Sequence, residues 1–269
     1  MKQHYIVIDV AKCSDCNNCF LACKDEHVGN KWLPYTDEQP RHGHRWMNIF
    51  QNLRGQFPRV DENYLAMPCQ HCQDAPCIEA HPECISRRGD GIVLIDVEKA
   101  KGVKNIAESC PYGAIYWNED LNIGQKCTMC AHILDNGHEP YMPRCVHSCS
   151  TQAMKYYHVE AEEMKEIAEK EGLENYKAEW GTNPHIYYKN LHLFTKAFIA
   201  GGLLKDNECA EGVEVTLKGD NVEASQITDY FGDFKFDGLS PGKYSLMVDG
   251  KEVKSVELEE SLNVGSIVI

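Results

Sequence analysis

The sequence has no run of apolar residues long enough to cross a membrane. Its longest apolar-leaning segment, LHLFTKAFIAGGLL at 191–204, is short and contains Lys196, whereas a membrane-spanning helix needs about 20 apolar residues. The N-terminal segment MKQHYIVIDV has neither the apolar stretch of a secretory signal nor a twin-arginine pair. We therefore expect a soluble, cytoplasmic protein with no membrane anchor of its own.

Positive charge is also scarce. The 269 residues include 27 Lys and Arg against 41 Asp and Glu, which gives a formal net charge of −14. From Leu203 onward there are 14 acidic and 6 basic residues, so −8 of this charge lies in the last quarter of the chain. A nucleic-acid-binding surface needs clustered Lys and Arg. This balance argues against nucleic acid as a partner.

Cysteine, by contrast, is abundant. The chain has 14 cysteines, and all but Cys209 precede residue 150. Disulfide frameworks belong mostly to small secreted proteins, and nothing in the N-terminal segment marks this chain for export. The short C-x2-C and C-x3-C spacings therefore favour metal ligation in a reducing compartment.

The first cysteine run has ferredoxin spacing. It reads CSDCNNCFLAC, a C-x2-C-x2-C-x3-C pattern that binds 4Fe–4S clusters in bacterial ferredoxins, with the fourth cysteine ligating a second cluster. Zinc rarely takes three cysteines at such spacing, so the run favours an iron–sulfur cluster. Its cysteines are Cys13, Cys16, Cys19 and Cys23.

Two further runs follow the first. The second has C-x2-C-x4-C spacing, and the third has C-x2-C-x14-C-x3-C spacing. Taken alone, the third run also fits a zinc site, but the presence of the other runs favours iron and sulfide. The cysteines are Cys69, Cys72 and Cys77 in the second run, and Cys127, Cys130, Cys145 and Cys149 in the third.

A fourth run has lost most of its cysteines. Cys110, which precedes a proline, resembles the last ligand of a ferredoxin run, but counting back by ferredoxin spacing reaches Ala100, Val103 and Ile106. The position expected to hold the fourth cysteine of the second run is His81. Histidine ligates some iron–sulfur clusters, but His81 has no thiolate companions. We interpret it as filling or capping a collapsed apolar site.

Two cysteines, Cys84 and Cys209, fit none of the runs. Free cysteine commonly behaves as a small buried apolar residue. We therefore expect both side chains to be buried and to ligate nothing.

The order of the runs and the segment RRGDGIVLIDVEKA at 87–100 resemble the four-cluster electron-transfer subunits of the DMSO reductase family of molybdenum and tungsten enzymes. In that family four runs pair in chain order, the first with the last and the second with the third, and paired runs exchange their fourth cysteines. Here the last in chain order is the run at 127–149, and the degenerate run that ends at Cys110 stands before it. The resemblance implies three 4Fe–4S clusters and a lost fourth. The implied ligands are Cys13, Cys16, Cys19 and Cys149 (site 1), Cys127, Cys130, Cys145 and Cys23 (site 2), and Cys69, Cys72, Cys77 and Cys110 (site 3); the lost site is His81, Ala100, Val103 and Ile106.

The resemblance implies an α+β fold whose iron–sulfur domain spans residues 1–158. Two ferredoxin-like units interleave in it, the outer from 1–30 with 120–158 and the inner from 60–118. Short strands are predicted at YIVIDV, IVLIDV and AIYW. The insertion at about 30–60 is polar and aromatic, and we expect a solvated loop or partner contact there in preference to a metal site at His42 and His44.

Residues 159–202 are predicted to connect the iron–sulfur domain to a second domain. EAEEMKEIAEKE at 160–171 has helical spacing and ends before Gly172; we expect a solvated helix. GTNPHIYYKNL at 181–191 resembles an extended segment of the family's subunits and is predicted to lie on the large partner chain.

The sequence pattern changes at 203–269. There, short segments in which apolar and polar residues alternate are separated by residues typical of turns. Phe234 and Phe236 share one face, as do Val213, Val215 and Leu217. The run TDYFGDFKFDGLSPGKYSL resembles the carboxypeptidase-regulatory-like, transthyretin-like β-sandwich. We expect this domain to dock or stabilise a partner.

The family resemblance implies an electron-transfer subunit without catalytic residues, beside a large catalytic chain that holds the molybdopterin cofactor and substrate. The missing cluster would slow electron flow through the subunit. Three clusters with a β-sandwich resemble one anaerobic member whose reaction moves a hydroxyl group between aromatic rings with no net redox change. Two alternatives stay open: a ferredoxin-like carrier of a hydrogenase or formate dehydrogenase complex, and a chain whose clusters only stabilise its partner.

Overall fold

The computed structural model describes residues 1–137, 139, 141–220 and 222–269. The chain forms two units, the first from 1–50 and 64–191 and the second from 51–63 and 192–269. No helix in the described ranges is long and apolar enough to span a membrane. The helices are α1 Asn18–His27, α2 Pro76–Ala80, α3 Ala131–Asn136, α4 Arg144–His147, α5 Ala161–Glu171 and α6 His192–Thr195.

The first unit contains one four-stranded sheet and two short ladders. The sheet has the order β8-β1-β10-β9, and the ladders pair β4 with β5 and β6 with β7. Strands β2 and β3 form a hairpin whose tip, residues 51–63, belongs to the second unit. The strands are β1 Gln3–Asp9, β2 Met47–Gln56, β3 Arg59–Pro68, β4 Ile85–Arg87, β5 Val93–Ile95, β6 Ile115–Asn118, β7 Ile123–Lys126, β8 Met154–Val159, β9 Leu173–Glu174 and β10 Ile186–Lys189.

Strand β1 is central in the four-stranded sheet. It runs antiparallel to β8 and parallel to β10, with Ile6 opposite Ile186. Helix α5 packs on this sheet through Met164, which is fully buried against Tyr5 and Val7. The helix predicted at 160–171 is therefore confirmed, but it buries one apolar face in addition to its solvated one.

The second unit is a β-sandwich of two four-stranded sheets. One sheet joins β11 to β12, β15 and β18, and the other has the order β14-β13-β16-β17. Phe234, Phe236, Val215 and Leu217 are all buried in the core between the sheets, as their period-2 spacing predicts. The strands are β11 Ala197–Lys205, β12 Glu208–Cys209, β13 Glu214–Gly219, β14 Val222–Ile227, β15 Asp233–Leu239, β16 Gly242–Val248, β17 Lys251–Leu258 and β18 Leu262–Val268.

The β-sandwich begins before residue 203, where the alternating sequence pattern placed its boundary. Its first strand is β11, which pairs antiparallel with β15 on one side and parallel with β18 on the other. A central strand buried on both faces has a continuous apolar run instead of an alternating one. The longest apolar-leaning segment of the chain is therefore in large part the middle strand of a sheet.

The insertion at 30–60 also differs from the expected solvated loop. Part of it is strand β2, and the side chains of His44 and Trp46 just before that strand are buried. The His44 ring nitrogen Nε2 lies 3.0 Å from the carbonyl oxygen of Trp117. These residues therefore contribute to the interior of the first unit.

Candidate iron–sulfur sites

None of the fourteen cysteines forms a disulfide. Of the twelve cysteines in the predicted sites, only Cys16 is exposed. Cys84 is buried in the apolar core, as expected. Cys209 is exposed, and its predicted burial is wrong because it lies on the two-residue strand β12 at the solvent-facing end of a hairpin.

Short turns position the ligand cysteines. Asn17, His71 and Met129 each have a positive φ, at 59°, 45° and 54°, and each lies within a cysteine run. Such turns bend the backbone into concave surfaces lined by N–H groups, which are known at iron–sulfur sites. Accordingly, the backbone N–H of Met129 donates to Cys127 Sγ at 3.3 Å.

The thiols of site 1 are electrostatic neighbours. Burial raises the pKa of Cys13, and negative charge on Cys149 or Cys16 raises this pKa further. Burial and then charge on Cys13 raise the pKa of Cys19 to about 12. Cys16 Sγ also lies 3.6 Å from the hydroxyl oxygen of Ser150, which is 134 residues away in sequence. The fold thus brings the first run next to the end of the third.

The thiols of site 2 also come from the first and third runs. Burial raises the pKa of Cys23 well above its ordinary value, and charge on Cys127 and Cys130 adds to this effect. Burial likewise raises the pKa of Cys145 well above its ordinary value, and charge on Cys130, Cys127 and Cys23 raises it further. The fourth cysteine of the first run therefore lies with the first three cysteines of the third run.

The thiols of site 3 come from the second run and the degenerate fourth run. Burial and then charge on Cys69 raise the pKa of Cys72 to about 12, and charge on Cys110 and Cys77 contributes to this shift. Burial and then charge on Cys69 also raise the pKa of Cys110. In addition, the backbone N–H of Ala114 donates to Cys110 Sγ at 3.4 Å.

The three thiol groups follow one another through the first unit. Burial and charge on thiols of site 2 are the larger causes that raise the pKa values of Cys23 and Cys145. Charge on Cys19 of site 1 raises both values further. Burial and then charge on Cys69 of site 3 raise the pKa of Cys127 of site 2 to about 11. Site 2 is therefore the neighbour of both other sites.

The three apolar positions of the lost site lie in a packed interior. Ala100 and Ile106 are fully buried, and Val103 packs against the same apolar core as the cysteines of site 3. A Cβ atom added to Gly124 would lie 2.4 Å from Cγ2 of Ile106. Side-chain atoms of Ile106 therefore fill the space next to strand β7.

His81 follows helix α2 and is buried. Its backbone N–H donates to the carbonyl oxygen of Cys77 at 3.1 Å, and its Nδ1 lies 3.7 Å from Glu83 Oε1. The donor atoms of His81, Glu83 and Cys84 lie within 4.8 Å of one another. No cysteine of sites 1 to 3 belongs to this trio in the part of the chain that the structure describes.

Two buried side-chain donors in the ligand loops have no hydrogen-bond partner among the described residues: His71 Nε2, in the loop of site 3, and Thr128 Oγ1, in the loop of site 2. The acceptor Gln70 Oε1, also in the loop of site 3, has no partner there either. His71 Nδ1 accepts the backbone N–H of Val93 at 3.0 Å, so the ring proton resides on Nε2. Buried donors almost always have a partner. Cluster sulfur atoms accept such hydrogen bonds, and these loops therefore fit a bound iron–sulfur group.

These thiol sites and the ferredoxin spacing define an iron–sulfur protein. In agreement, a family described as a 4Fe–4S dicluster domain matches residues 60–159. The pyrogallol hydroxytransferase small subunit of Pelobacter acidigallici is 48% identical over 273 residues, which cover 99% of each chain. The protein belongs to the family of iron–sulfur subunits that contains this relative.

Other relatives are subunits of further enzymes. A subunit of the sulfite dehydrogenase of Allochromatium vinosum is 29% identical over 200 residues, which cover 70% of this chain and 83% of the relative. A subunit of the anaerobic dimethyl sulfoxide reductase of Escherichia coli is 30% identical over 163 residues, which cover 57% of this chain and 73% of the relative. The resemblance to DMSO reductase family subunits is thereby confirmed.

Proposed function

We propose that this chain is the electron-transfer subunit of a molybdopterin enzyme that moves a hydroxyl group between aromatic rings. It holds three 4Fe–4S clusters and no catalytic residue, and a large partner chain holds the molybdopterin cofactor and the substrate. The observation that supports this most strongly is the 48% identity over the whole chain to a pyrogallol hydroxytransferase small subunit.

The three cluster sites are those predicted from the sequence, sites 1 to 3. Their support is that charge on thiols of a group raises the pKa of Cys19 in site 1, Cys145 in site 2 and Cys72 in site 3, together with the unpartnered donors of His71 and Thr128. The same contacts support interleaved ferredoxin-like units, because cysteines from distant runs share a site. The division of the iron–sulfur domain into an outer and an inner unit and the cytoplasmic location stay predictions.

The chain's own residues supply ligands and a dry environment. Because burial raises the pKa of Cys19, Cys72 and Cys130 to about 12, these thiols keep their protons until a metal replaces them. Buried ligands exclude water, and backbone N–H groups such as that of Met129 stabilise the thiolates. A bound 4Fe–4S cluster supplies one-electron transfer.

The filled fourth site suits a reaction without net oxidation. An enzyme that sends electrons to an outside acceptor needs an unbroken series of clusters across its iron–sulfur subunit. Here Ala100 and Ile106 are fully buried where the fourth cluster would stand. A hydroxyl transfer between two aromatic rings needs no such series, and the remaining clusters set or restore the oxidation state of the metal in the partner.

The test is elemental analysis of the complex purified anaerobically from its natural source. We expect about one molybdenum or tungsten per copy of this chain, and about twelve irons from its three clusters. Hydroxyl transfer from pyrogallol to a second aromatic ring is then assayed in the same sample. Nickel in place of molybdenum or tungsten would support the hydrogenase alternative instead, and about sixteen irons in this chain would contradict the loss of the fourth site.

A further inference from the structure

Lys126 is a buried lysine between two of the thiol sites. It ends strand β7 immediately before Cys127, and its side chain lies in the protein interior with only 3% of the residue exposed. Its Nζ donates to the carbonyl oxygen of Val93 and, at 3.0 Å, to that of Cys127. Both partners are neutral. Among the described residues, Lys126 forms no ion pair with a carboxylate.

A buried ammonium group without a negative partner is costly, and buried charges are normally paired. The positive charge of Lys126 acts on Cys127 of site 2 and on Cys77 and Cys110 of site 3. Four thiolates around a 4Fe–4S core leave a net negative charge at each site, which balances the ammonium group.

We propose that Lys126 sets the electron affinity of the two clusters at sites 2 and 3 by placing one positive charge between them. This inference rests on the proposed function, because it needs clusters at both sites. A reduced cluster is one charge more negative than an oxidised one. A nearby cation buried at low dielectric therefore favours reduction, and net charge is one determinant of cluster potential.

The position of Lys126 concerns one electron-transfer step in particular. Sites 2 and 3 meet where Cys127 packs against the apolar core that contains Cys69, and Lys126 Nζ lies 3.0 Å from the carbonyl oxygen of Cys127. One cation there raises both potentials together, so that electrons remain shared between the two clusters. The main causes of the shifts of Cys13 and Cys19 are burial, neighbouring thiols and local backbone groups instead of Lys126, and we expect the potential of site 1 to change little when Lys126 is replaced.

The test is a redox titration of the assembled protein, followed by electron paramagnetic resonance. The variants are Lys126→Met and Lys126→Gln, which remove the charge, and Lys126→Arg, which keeps it. Lys104→Met is the matched control, because the Lys104 side chain is 70% exposed and its charge is screened by water. Signals of site 1 are assigned by their loss in a Cys149→Ala variant.

In both neutral variants we expect the ratio of reduced to oxidised cluster at sites 2 and 3 to fall about tenfold at a fixed potential. For a one-electron couple this corresponds to about 59 mV. Site 1, Lys126→Arg and Lys104→Met should show the wild-type ratio.

Unchanged ratios in a neutral variant that retains about twelve irons would overturn the proposal. Loss of the iron of sites 2 and 3 from both neutral variants, but not from Lys126→Arg, would also overturn it, because the charge would then serve assembly and not potential. Failure of the underlying function is seen separately, as wild-type protein without 4Fe–4S signals at either site.

Discussion

Arg54 donates two hydrogen bonds to the carboxylate of Asp237, from Nη1 to Oδ1 at 2.8 Å and from Nη2 to Oδ2 at 3.0 Å. The two residues are 183 positions apart in sequence. Arg54 also donates to the carbonyl oxygen of Lys196 at 2.8 Å. The tip of the β2–β3 hairpin is thereby tied to strand β15 by a buried, bidentate ion pair within the second unit.

Replacing Arg54 by Met should destabilise the second unit by about 3 kcal/mol, because Asp237 would lose its main partner in a partly buried place. The ammonium group of Lys235 limits this loss of stability, because its Nζ lies 3.0 Å from Asp237 Oδ2. Hydrogen exchange of peptides from residues 192–269 is the measurement. Tryptophan fluorescence does not report on this segment directly, because all four tryptophans precede it. Adding Asp237→Leu to the Arg54→Met variant should recover part of the stability, and no recovery would contradict this account.

The same ion pair predicts acid sensitivity. Burial alone would raise the pKa of Asp237, but hydrogen bonds from Arg54 and Lys235 outweigh it and lower this pKa below its ordinary value. A carboxylate with a lowered pKa stabilises the fold above the pKa of the unfolded chain and loses that effect as the pH falls through the folded-state pKa. Exchange protection of 192–269 should therefore decline below about pH 4. In Asp237→Asn this decline should be smaller; an identical pH profile would refute the assignment.

The sequence predicted local features better than long-range ones. Cysteine spacing predicted which thiols share a loop, and period-2 alternation placed Phe234 and Phe236 in the core of the β-sandwich. The pairing of Arg54 with Asp237 has no local signal, because Arg54 lies in no motif, the β-sandwich motif around Asp237 does not specify its partner, and burial by distant segments decides their contact. For the same reason strand β2, which lies within the insertion at 30–60, was expected to be part of a solvated loop or partner contact.

Strand β11 was missed for a different reason. Its run AFIAGGLL has no alternation, because neighbouring strands and the opposite sheet bury both of its faces. A short continuous apolar run does not distinguish a buried strand from a buried helix. Lys126 also gave no signal in the sequence, since lysines are usually exposed and only the fold shows that this one lies between two thiol sites.

Ile106 should contribute stability to the first unit because it fills the space of the lost site. Truncation to Ala should lower the free energy of unfolding by about 2–5 kcal/mol. Val103→Ala is the matched control, since Val103 is only half-buried, and should cost less. Anaerobic denaturant titration followed by tryptophan fluorescence measures both. Equal losses in the two variants would mean that Ile106 has no special packing role.

His81 should not be needed for iron binding. His81→Ala should leave the iron content of the protein unchanged, because the thiols of site 3 are complete without it. Cys77→Ala, which alters a predicted ligand of site 3, is the positive control and should remove about four irons. A loss of about four irons in His81→Ala itself would identify His81 as a ligand. It would contradict the interpretation that apolar side chains fill the lost fourth site.

The proposed exchange of fourth cysteines between runs makes an asymmetric prediction. Cys149→Ala should cost about four irons and free Cys13, Cys16 and Cys19 for alkylation, although Cys149 belongs to the third run. Cys23→Ala should instead free Cys127, Cys130 and Cys145. Mass spectrometry of alkylated peptides distinguishes the two outcomes without relying on total iron. Each variant has the other as its matched control.

The reverse pattern would mean that each run binds its own cluster with four local cysteines. The structure argues against this, because charge on Cys127 and Cys130 raises the pKa of Cys23 after burial, ahead of charge on Cys19 from its own run. Cys16 likewise lies near Ser150, next to Cys149. The proposed exchange requires both variants to follow the expected pattern, so a result in which only one of them does would contradict it.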